Sequence, residues 1–235
     1  MLNAASYGVP QTRERYILIG IKHELCKRKI ELPKPIIENP FNYITVKEAI
    51  KDLEDIEPTT KGMDETQKRS NCPMINSYYR KLVMIENYKE VHNHVCTATS
   101  ETARHRFEKI DPGKNFHSLP EELKSTYENP ERTQNTIYKR LDPNLPSDTV
   151  VNVRKSMWIH PIFNRAVSAR EAARLQSFPD DYIFYGTKDS VYQQIGNAVP
   201  PVLGRAVAEK VLELFDDKLK FEETIEGIYS TYEEM

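Results

Sequence analysis

The sequence predicts an α/β fold that is interrupted by a long irregular insert, and three observations lead to this interpretation. A near-continuous apolar run at residues 16–21 is typical of a strand buried on both faces of a sheet. Residues 56–165 are polar, with scattered Pro, Asn and Thr and only short apolar stretches. Clear helix-start signals return at Ser168 and at Pro200-Pro201.

Each predicted element has a local reason. After a turn at Gly8-Val9-Pro10 and the apolar run, we expect a short helix over residues 45–53, because Thr45 and Glu48 have the spacing of a capping box. Within the polar stretch the pattern favours brief helices and short strands. We expect the helices near residues 102–110 and 120–127, and the strands near residues 149–153 and 156–159.

Two longer helices complete the prediction. Ser168 and Glu171 have capping-box spacing, and the helix that they begin is expected to end at Phe178-Pro179. Pro200-Pro201 opens a last helix. Its predicted apolar face is formed by Leu203, Val207, Val211 and Leu214.

Charge and cysteine content restrict the class of protein. The net charge of −2 averages a mildly basic middle, residues 61–165, with an acidic tail, residues 216–235. Cys26, Cys72 and Cys96 are far apart, without a CxxC pair or a histidine at zinc spacing, so we expect neither a disulfide framework nor a metal site. No apolar run approaches the roughly 20 residues that span a bilayer, and the first residues lack a signal-peptide pattern. We therefore expect a cytoplasmic protein.

Three motifs stand in a fixed order along the chain. Residues 10–15 read Pro-Gln-Thr-Arg-Glu-Arg, residues 170–180 read Arg-Glu-Ala-Ala-Arg-Leu-Gln-Ser-Phe-Pro-Asp, and residues 194–201 read Gln-Ile-Gly-Asn-Ala-Val-Pro-Pro. In this order they resemble the eighth, ninth and tenth sequence blocks of the cytosine-5 DNA methyltransferases. The resemblance implies a partial Rossmann-like, S-adenosylmethionine-dependent methyltransferase core with an irregular, mostly β target-recognition domain inserted between the first and second motifs.

This resemblance also implies a division of the chain into four parts. Residues 1–55 correspond to the C-terminal strands and helix of the catalytic core, and residues 56–167 to the target-recognition domain. Residues 168–215 correspond to helices that complete the core and the hinge, and residues 216–235 form the acidic tail.

The family's chemistry gives the first motif an expected role. Methylation at C5 requires the cytosine to leave the DNA stack, because its reacting atoms are buried there. In the family a cysteine adds to C6, a glutamate holds N3 and an arginine holds O2 as charge develops, a task suited to a permanently charged, rigid guanidinium. The matching residue is Arg15, and we expect Arg13 to support it or to reach a phosphate. The simpler alternative is a charged entrance to a strand.

The third motif and the end of the insert supply the other expected contacts. By resemblance Asn197, Ala198 and Val199 touch the cofactor S-adenosyl-L-methionine from a turn, the alternative being a plain helix cap formed by Asn197. For double-stranded DNA, the expected contacts are Thr149 to a phosphate and Arg140, Arg154 and Lys155 to phosphates or guanine edges.

The helix of the second motif is expected to be structural. Arg170, Glu171 and Arg174 lie at helix spacing, and we expect them to pair with one another and with the insert. By resemblance this helix organises the recognition domain and does not touch the substrate.

Some family motifs are not found in these 235 residues. They are the Gly-rich cofactor loop, the Pro-Cys loop with the nucleophile and the Glu-Asn-Val block with the catalytic glutamate. Asn71-Cys72-Pro73 has the reverse order and no residue to activate the thiol, so Cys72 is not expected to be catalytic.

Two hypotheses follow. In the first, the chain is a subunit or C-terminal half of a split methyltransferase, active only with a partner that carries the Pro-Cys and Glu-Asn-Val blocks. In the second, it is an inactive remnant that acts at most as a DNA-binding module. An RNA methyltransferase of the same fold fits the long insert less well.

Overall fold

The computed structural model describes residues 1–22, 31–63, 65–69, 78–83 and 89–213. The strands in this part of the chain are β1 (Leu2–Asn3), β2 (Glu14–Arg15), β3 (Thr66–Lys68) and β4 (Glu90–His92). The α-helices are α1 (Val46–Ile50), α2 (Tyr78–Val83), α3 (Glu101–Phe107), α4 (Glu121–Lys124), α5 (Val153–Ser156), α6 (Ala169–Leu175), α7 (Lys188–Asn197) and α8 (Pro201–Leu212). Short 3₁₀ helices lie at Ala4–Tyr7, Pro40–Asn42, Lys51–Leu53, Phe116–Ser118 and Pro130–Arg132.

Both predicted capping boxes are present. In α1 the hydroxyl of Thr45 accepts from the amide of Glu48, whose carboxylate accepts from the amide of Thr45 in return. Ser168 and Glu171 make the same reciprocal pair at the start of α6. These caps satisfy amide groups that no earlier helical turn can reach, so a local signal in the sequence fixes where each helix begins.

Three further helix predictions are confirmed, and the helices α2, α5 and α7 were not predicted. The short helix α4 lies within its predicted range, α3 begins one residue before its predicted range, and α8 begins at Pro201 as expected. Leu203 is buried and Val207 is half-buried on α8, whereas the predicted position of Leu214 lies outside the described residues. The helix α7 was not predicted, because the Gly196-Asn197 pair at its end is typical of a turn.

Strand content is lower than predicted. Among the described residues β1 pairs with β2 and β3 pairs with β4, both antiparallel, and the remaining pairings are isolated bridges. The predicted strands at 149–153 and 156–159 are wrong, because Asn152 caps α5 by accepting from the amide of Lys155. The described part of the insert is thus irregular and not mostly β.

The prediction of a strand buried on both faces at residues 16–21 is also wrong for the described structure. Side chains alternate between half-buried and exposed along this segment, with Tyr16 82% and Leu18 96% exposed. Ile17 packs against the cluster that α8 forms with the first residues of the chain. One face of the segment is therefore covered by α8 while the other is open.

The described residues form three apolar clusters. The largest joins α1, α6 and α7 to buried residues of the insert, including Val95, Leu141, Val150 and Trp158. A second cluster packs residues 2–9 against α8. The third lies wholly inside the insert around Phe107, Phe116 and Tyr138. The insert thus shares one cluster with the rest of the chain and has one of its own. No helix in the described part of the chain is long and apolar enough to cross a membrane.

Candidate functional site

The three sequence motifs meet at one place. There Arg13 of the first motif joins the end of the insert to the end of α7. Its guanidinium is buried and donates to the carbonyl of Val150 at 2.8 Å and to the carbonyl of Gly196 at 2.9 Å. We call this meeting point the motif junction. It comprises residues 11–15, residues 149–151, Gln176 and residues 195–199.

A buried pair of glutamine amides links the second motif to the other two. The Gln11 amide donates to the carbonyl of Leu175 at 3.0 Å and to the side-chain oxygen of Gln176. Gln176 in turn donates to the carbonyls of Ile195, at 2.7 Å, and Ala198, at 3.3 Å. No role was predicted for these glutamines, although both lie inside the motifs and buried amides must be paired.

Gly196 allows the third motif to come close to the insert. A Cβ atom at this position would lie 2.7 Å from the carbonyl carbon of Val151 and 2.8 Å from its oxygen, closer than any side chain permits. The backbone of α7 therefore packs directly on the backbone at the end of the insert. Glycine is required here for close approach rather than for an unusual backbone angle.

The predicted cofactor residues lie where α7 ends. Asn197 is the last residue of the helix and not part of a turn before a helix, which corrects the expected geometry. Its side-chain oxygen accepts from Gln193 at 2.7 Å, and its side chain is exposed. Ala198 is half-buried with an extended backbone, and Val199 is exposed.

The two arginines of the first motif have different surroundings. Burial, together with the nearby charge of Arg15, lowers the pKa of Arg13 to about 10, so that it stays charged at neutral pH. Arg15 lies on β2, is only half-buried and donates to the carbonyl of Glu14 at 2.7 Å. Arg13 thus has an internal structural contact, which argues against a phosphate contact for it, while Arg15 has access to solvent.

Three of the four predicted DNA contacts are accessible. Thr149 is half-buried and its hydroxyl donates to the carbonyl of Thr12 at 2.8 Å. Lys155 is exposed, and the half-buried Arg154 forms an ion pair with Asp189 at the start of α7. All three positions are close in sequence to Val151, which contacts Gly196.

The geometry contradicts the prediction that Arg140 contacts DNA. Its side chain is buried and donates to the carbonyls of Phe107, Ile110, His160 and Phe163 and to the side chain of Asn164. A guanidinium has five donors, and all of its nitrogens are used here inside the insert. Arg140 therefore connects the loop after Ile159 to α3. The sequence alone could not distinguish this buried structural role from a contact at the surface.

Helix α6 is structural, as expected, and its charges pair with the rest of the protein. Arg174 donates to Asp180 at 2.7 Å and to Asp52 at 3.1 Å, and Arg69 from the insert contacts the same two carboxylates. Arg170 donates to the carbonyls of His92 and Tyr182, at 2.8 and 2.7 Å. The prediction that these residues pair with the insert is confirmed for Arg170 and for Glu171, which pairs with Arg165. It is wrong for the side chain of Arg174, whose partners lie outside the insert, and no bond among the three is seen.

Glu171 forms a buried charge cluster with residues of the insert. Both of its oxygens accept from Arg165, at 2.6 and 2.9 Å, and His160 Nε2 lies 3.7 Å away. Burial would raise the pKa of Glu171, but the charge and hydrogen bonds of Arg165 and the nearby His160 outweigh it and hold that pKa well below its usual range. Burial lowers the pKa of His160 to about 4, so this histidine is neutral at pH 7.

Among the described residues, neither the thiol of Cys96 nor the acidic and histidine side chains form an alternative site. Cys96 is buried, and burial raises its pKa to about 11, which makes it a poor nucleophile. Cys26 and Cys72 lie outside the described residues. Within the part of the chain that the structure describes, no group of three or more His, Cys, Asp or Glu is arranged to hold a metal ion.

Comparison with known proteins agrees with this arrangement of motifs. The chain is 36% identical to the type II methyltransferase M.DdeI of Desulfomicrobium norvegicum, over 92% of the chain and 54% of that protein. It is 32% identical to the type II methyltransferase M1.HphI of Haemophilus parahaemolyticus, over 91% of the chain and 47% of that protein. The chain thus spans about half the length of these relatives.

A solved structure is also similar. It is described as a DNA modification methyltransferase encoded within a prophage of E. coli, and it matches with a TM-score of 0.69 and 27% identity, over 91% of this chain and 58% of that one. The family model of the C-5 cytosine-specific DNA methylases matches residues 1–213. The motifs that meet at Arg13 are therefore those of a known family, and the chain belongs to the C-5 cytosine-specific DNA methylases.

Proposed function

We propose that this chain is the DNA-reading C-terminal part of a DNA (cytosine-5-)-methyltransferase, and that it completes a site whose cysteine nucleophile and glutamate come from outside these 235 residues. The observation that carries the proposal is the bridge from Arg13 to Val150 and Gly196. It brings Arg15, the end of the insert and the end of α7 to one place. A site that must hold a flipped base, its flanking phosphates and a methyl donor needs these three elements together.

In this proposal Arg15 stabilises charge on the flipped cytosine. Its guanidinium is accessible. Arg15 lies on β2, which is held by backbone pairing with Leu2 and Asn3 of β1. A preorganised donor at O2 is worth most in the transition state, where the ring becomes electron-rich. Arg13 holds the segment that carries Arg15 in place through its buried hydrogen bonds to Val150 and Gly196, and it does not contact DNA.

The end of α7 provides part of the cofactor site. S-adenosyl-L-methionine, the family's methyl donor, supplies an electrophilic methyl group on a sulfonium. The exposed amide of Asn197 and the exposed isopropyl group of Val199 fit one polar and one apolar contact with such a ligand, and half-buried Ala198 lies between them. These three residues form only one wall, so the remaining contacts belong to the Rossmann-like part of the core, which we propose lies outside the chain.

The end of the insert provides the DNA contacts. We propose that Thr149 and Lys155 bind phosphates and that Arg154 exchanges its ion pair with Asp189 for a phosphate when DNA binds, because an exposed pair of this kind contributes little stability. The proposed target-recognition domain is residues 56–167, between core segments 1–55 and 168–215.

The partner segment has a docking surface in this proposal. The open face of residues 16–21, with Tyr16 and Leu18 exposed, is extended and apolar on an element whose other face already packs on α8. A neighbouring element of the missing core would cover it, because exposed apolar side chains gain free energy from burial. The missing segment is either a separate subunit or the remainder of a longer polypeptide.

Methyl transfer tests the proposal. The chain alone should transfer no tritiated methyl group from S-adenosyl-L-methionine to duplex DNA, and addition of a protein with the Pro-Cys and Glu-Asn-Val blocks should restore transfer to cytosine. Arg15→Ala should then reduce turnover by about 10²–10³ with DNA binding retained. Arg205→Ala, on α8, is the control. Transfer by the chain alone would overturn the proposal, and DNA binding without transfer under any addition would favour the inactive DNA-binding module.

A further inference from the structure

Gln11 and Gln176 use all of their amide groups inside the motif junction. Both side chains are fully buried. The Gln11 oxygen accepts from the Val150 amide at 2.9 Å, while its nitrogen donates to Leu175 and to the Gln176 oxygen. The Gln176 nitrogen donates to the carbonyls of Ile195 and Ala198. No described atom of either amide is left without a partner.

The backbone groups that these amides hold have few other partners. The carbonyls of Ile195 and Ala198 lie at the C-terminal end of α7, where the last carbonyls of a helix have no amide in a following turn, and the Ile195 carbonyl also accepts a long bond, of 3.4 Å, from the Ala198 amide. The Val150 amide lies in an irregular segment between a bridge at Ser147 and the start of α5. The two side chains therefore replace the hydrogen bonds that regular secondary structure would provide.

Each held group is adjacent to a residue of the proposed site. Val150 follows Thr149, and Ala198 stands between Asn197 and Val199. The Val150 carbonyl also accepts from Arg13, two residues before Arg15. A shift of either segment would thus move the DNA side, the cofactor side, or both, relative to Arg15.

We propose that Gln11 and Gln176 are positioning residues, Gln11 for the DNA side and Gln176 for the cofactor side of the site. The proposal rests on the function proposed above. The buried hydrogen bond between the Gln11 and Gln176 side chains fixes the distance between the DNA side and the cofactor side of the site. Misplacement of a reacting group by about 1 Å is enough to cost about 10²-fold in rate, so a residue that touches no ligand can still control turnover.

The test uses methionine variants, which keep the shape of the glutamine side chain and remove its hydrogen bonds. The DNA side and the cofactor side of the site can then be examined separately. In the 235-residue chain, hydrogen exchange at single amides should show a crossed pattern. Gln11→Met should speed exchange of the Val150 amide by about tenfold or more, because it removes the acceptor of that amide, and leave Ala198 nearly unchanged. Gln176→Met removes the donor to the carbonyls of Ile195 and Ala198 and loosens the end of α7, so it should speed exchange of the Ala198 amide, which donates to the Ile195 carbonyl, and leave Val150 nearly unchanged. Gln194→Met, an exposed glutamine on α7, is the control for both.

Kinetics of the assembled methyltransferase give the second measurement. Gln176→Met should raise KM for S-adenosyl-L-methionine by about tenfold with KM for DNA unchanged, and Gln11→Met should raise KM for DNA and lower kcat. A merely structural role would lower the active fraction, and so kcat, without changing either KM. If Gln176→Met does not fold, Gln176→Glu keeps the acceptor for Gln11 and removes the amide donor to α7, so it serves in the same measurements.

The outcomes distinguish this inference from the proposed function. Uniform faster exchange across the chain in both methionine variants, or unchanged KM values with lower kcat, would overturn the positioning roles. A wild-type assembly that transfers no methyl group would overturn the proposed function instead, and the crossed exchange pattern in the lone chain would still decide whether the two amides hold separate segments.

Discussion

Helix α6 and the segment at residues 16–21 depart from the usual distribution of side chains in opposite directions. Charged residues on α6 are fully buried, among them Arg170, Glu171 and Arg174. Residues 16–21 are apolar, yet Tyr16 and Leu18 are exposed to solvent. A buried charge is stable only with hydrogen-bond or ion-pair partners, and an exposed apolar side chain gains free energy when another element covers it. The two regions show whether the chain itself supplies these partners and this cover.

The difference lies in where the partners are. The buried charges of α6 find partners in the same chain: Arg174 pairs with Asp52 and Asp180, and Glu171 pairs with Arg165. Arg170 donates to the carbonyls of His92 and Tyr182. The open face of residues 16–21 finds none among the described residues. We therefore infer that α6 stabilises the chain by itself, while residues 16–21 contribute only when another element packs on them.

The largest effect is expected from Arg174→Met. This change leaves Asp52 and Asp180 buried with Arg69 as their remaining described cation, and loss of one partner from a buried pair typically costs about 3–5 kcal/mol. Denaturant unfolding of the chain measures this cost. Lys210→Met, which breaks an exposed pair with Glu213, should cost less than about 1 kcal/mol. Equal effects of the two changes would show that the α6 network is not a closed unit.

The second effect concerns pH. The pKa of His160 is about 4 in the folded chain, against an ordinary value of about 6.5 in the unfolded chain. The unfolded state thus binds a proton first as pH falls. The free energy of unfolding is at its full value above pH ~6.5 and declines toward pH 4, by up to about 1.4 kcal/mol per pH unit for one such group.

His160→Gln should make this decline shallower without removing it, because burial also lowers the pKa of His94. Unfolding curves between pH 4 and pH 7 provide the measurement, and His105→Gln, at an exposed position of α3, is the control. An unchanged slope in His160→Gln would mean that the buried cluster around Glu171 does not contribute to the acid sensitivity of the fold.

The smallest effect is expected from Leu18→Ser in the chain alone. Because this side chain is exposed, its loss should change the free energy of unfolding by less than about 0.5 kcal/mol. Ile17→Ser, one residue earlier and packed toward α8, should cost about 1–2 kcal/mol. In the assembled enzyme the order should reverse, with Leu18→Ser weakening association. A large cost of Leu18→Ser in the lone chain would contradict an open face.

Local signals were enough to predict part of the fold. Thr45 and Ser168 each start a helix through their own side chain and a glutamate three residues later, so the two helix starts could be found without knowledge of the tertiary structure. The strands expected at 149–159 failed because β-branched residues favour strands while the cap at Asn152 starts a helix, and tertiary contacts decided between them.

The candidate site was predictable to the extent that its residues are accessible. Arg15, Thr149 and Lys155 keep access to solvent, in agreement with the motif resemblance. Arg140 could not be assigned correctly, because an arginine that binds five acceptors inside a domain has the same local sequence context as one that binds a phosphate. The contact between Gln11 and Gln176 joins residues 165 positions apart, which no local pattern reveals.

If residues 56–167 are the recognition domain, as proposed above, the contact between Gly196 and Val151 also limits the exchange of such domains between enzymes. At this contact the two parts of the molecule meet backbone to backbone, so a transplanted domain must reproduce a main-chain path rather than a complementary side chain. A graft must therefore follow the main-chain path of residues 150–152, and one that is a residue longer or shorter there should not pack on α7. The side-chain contacts of Arg69 and Arg165 with the rest of the chain set a second, separate requirement. Diversification of the proposed DNA-reading surface would then be limited by loop length at this contact as well as by side-chain identity at the others.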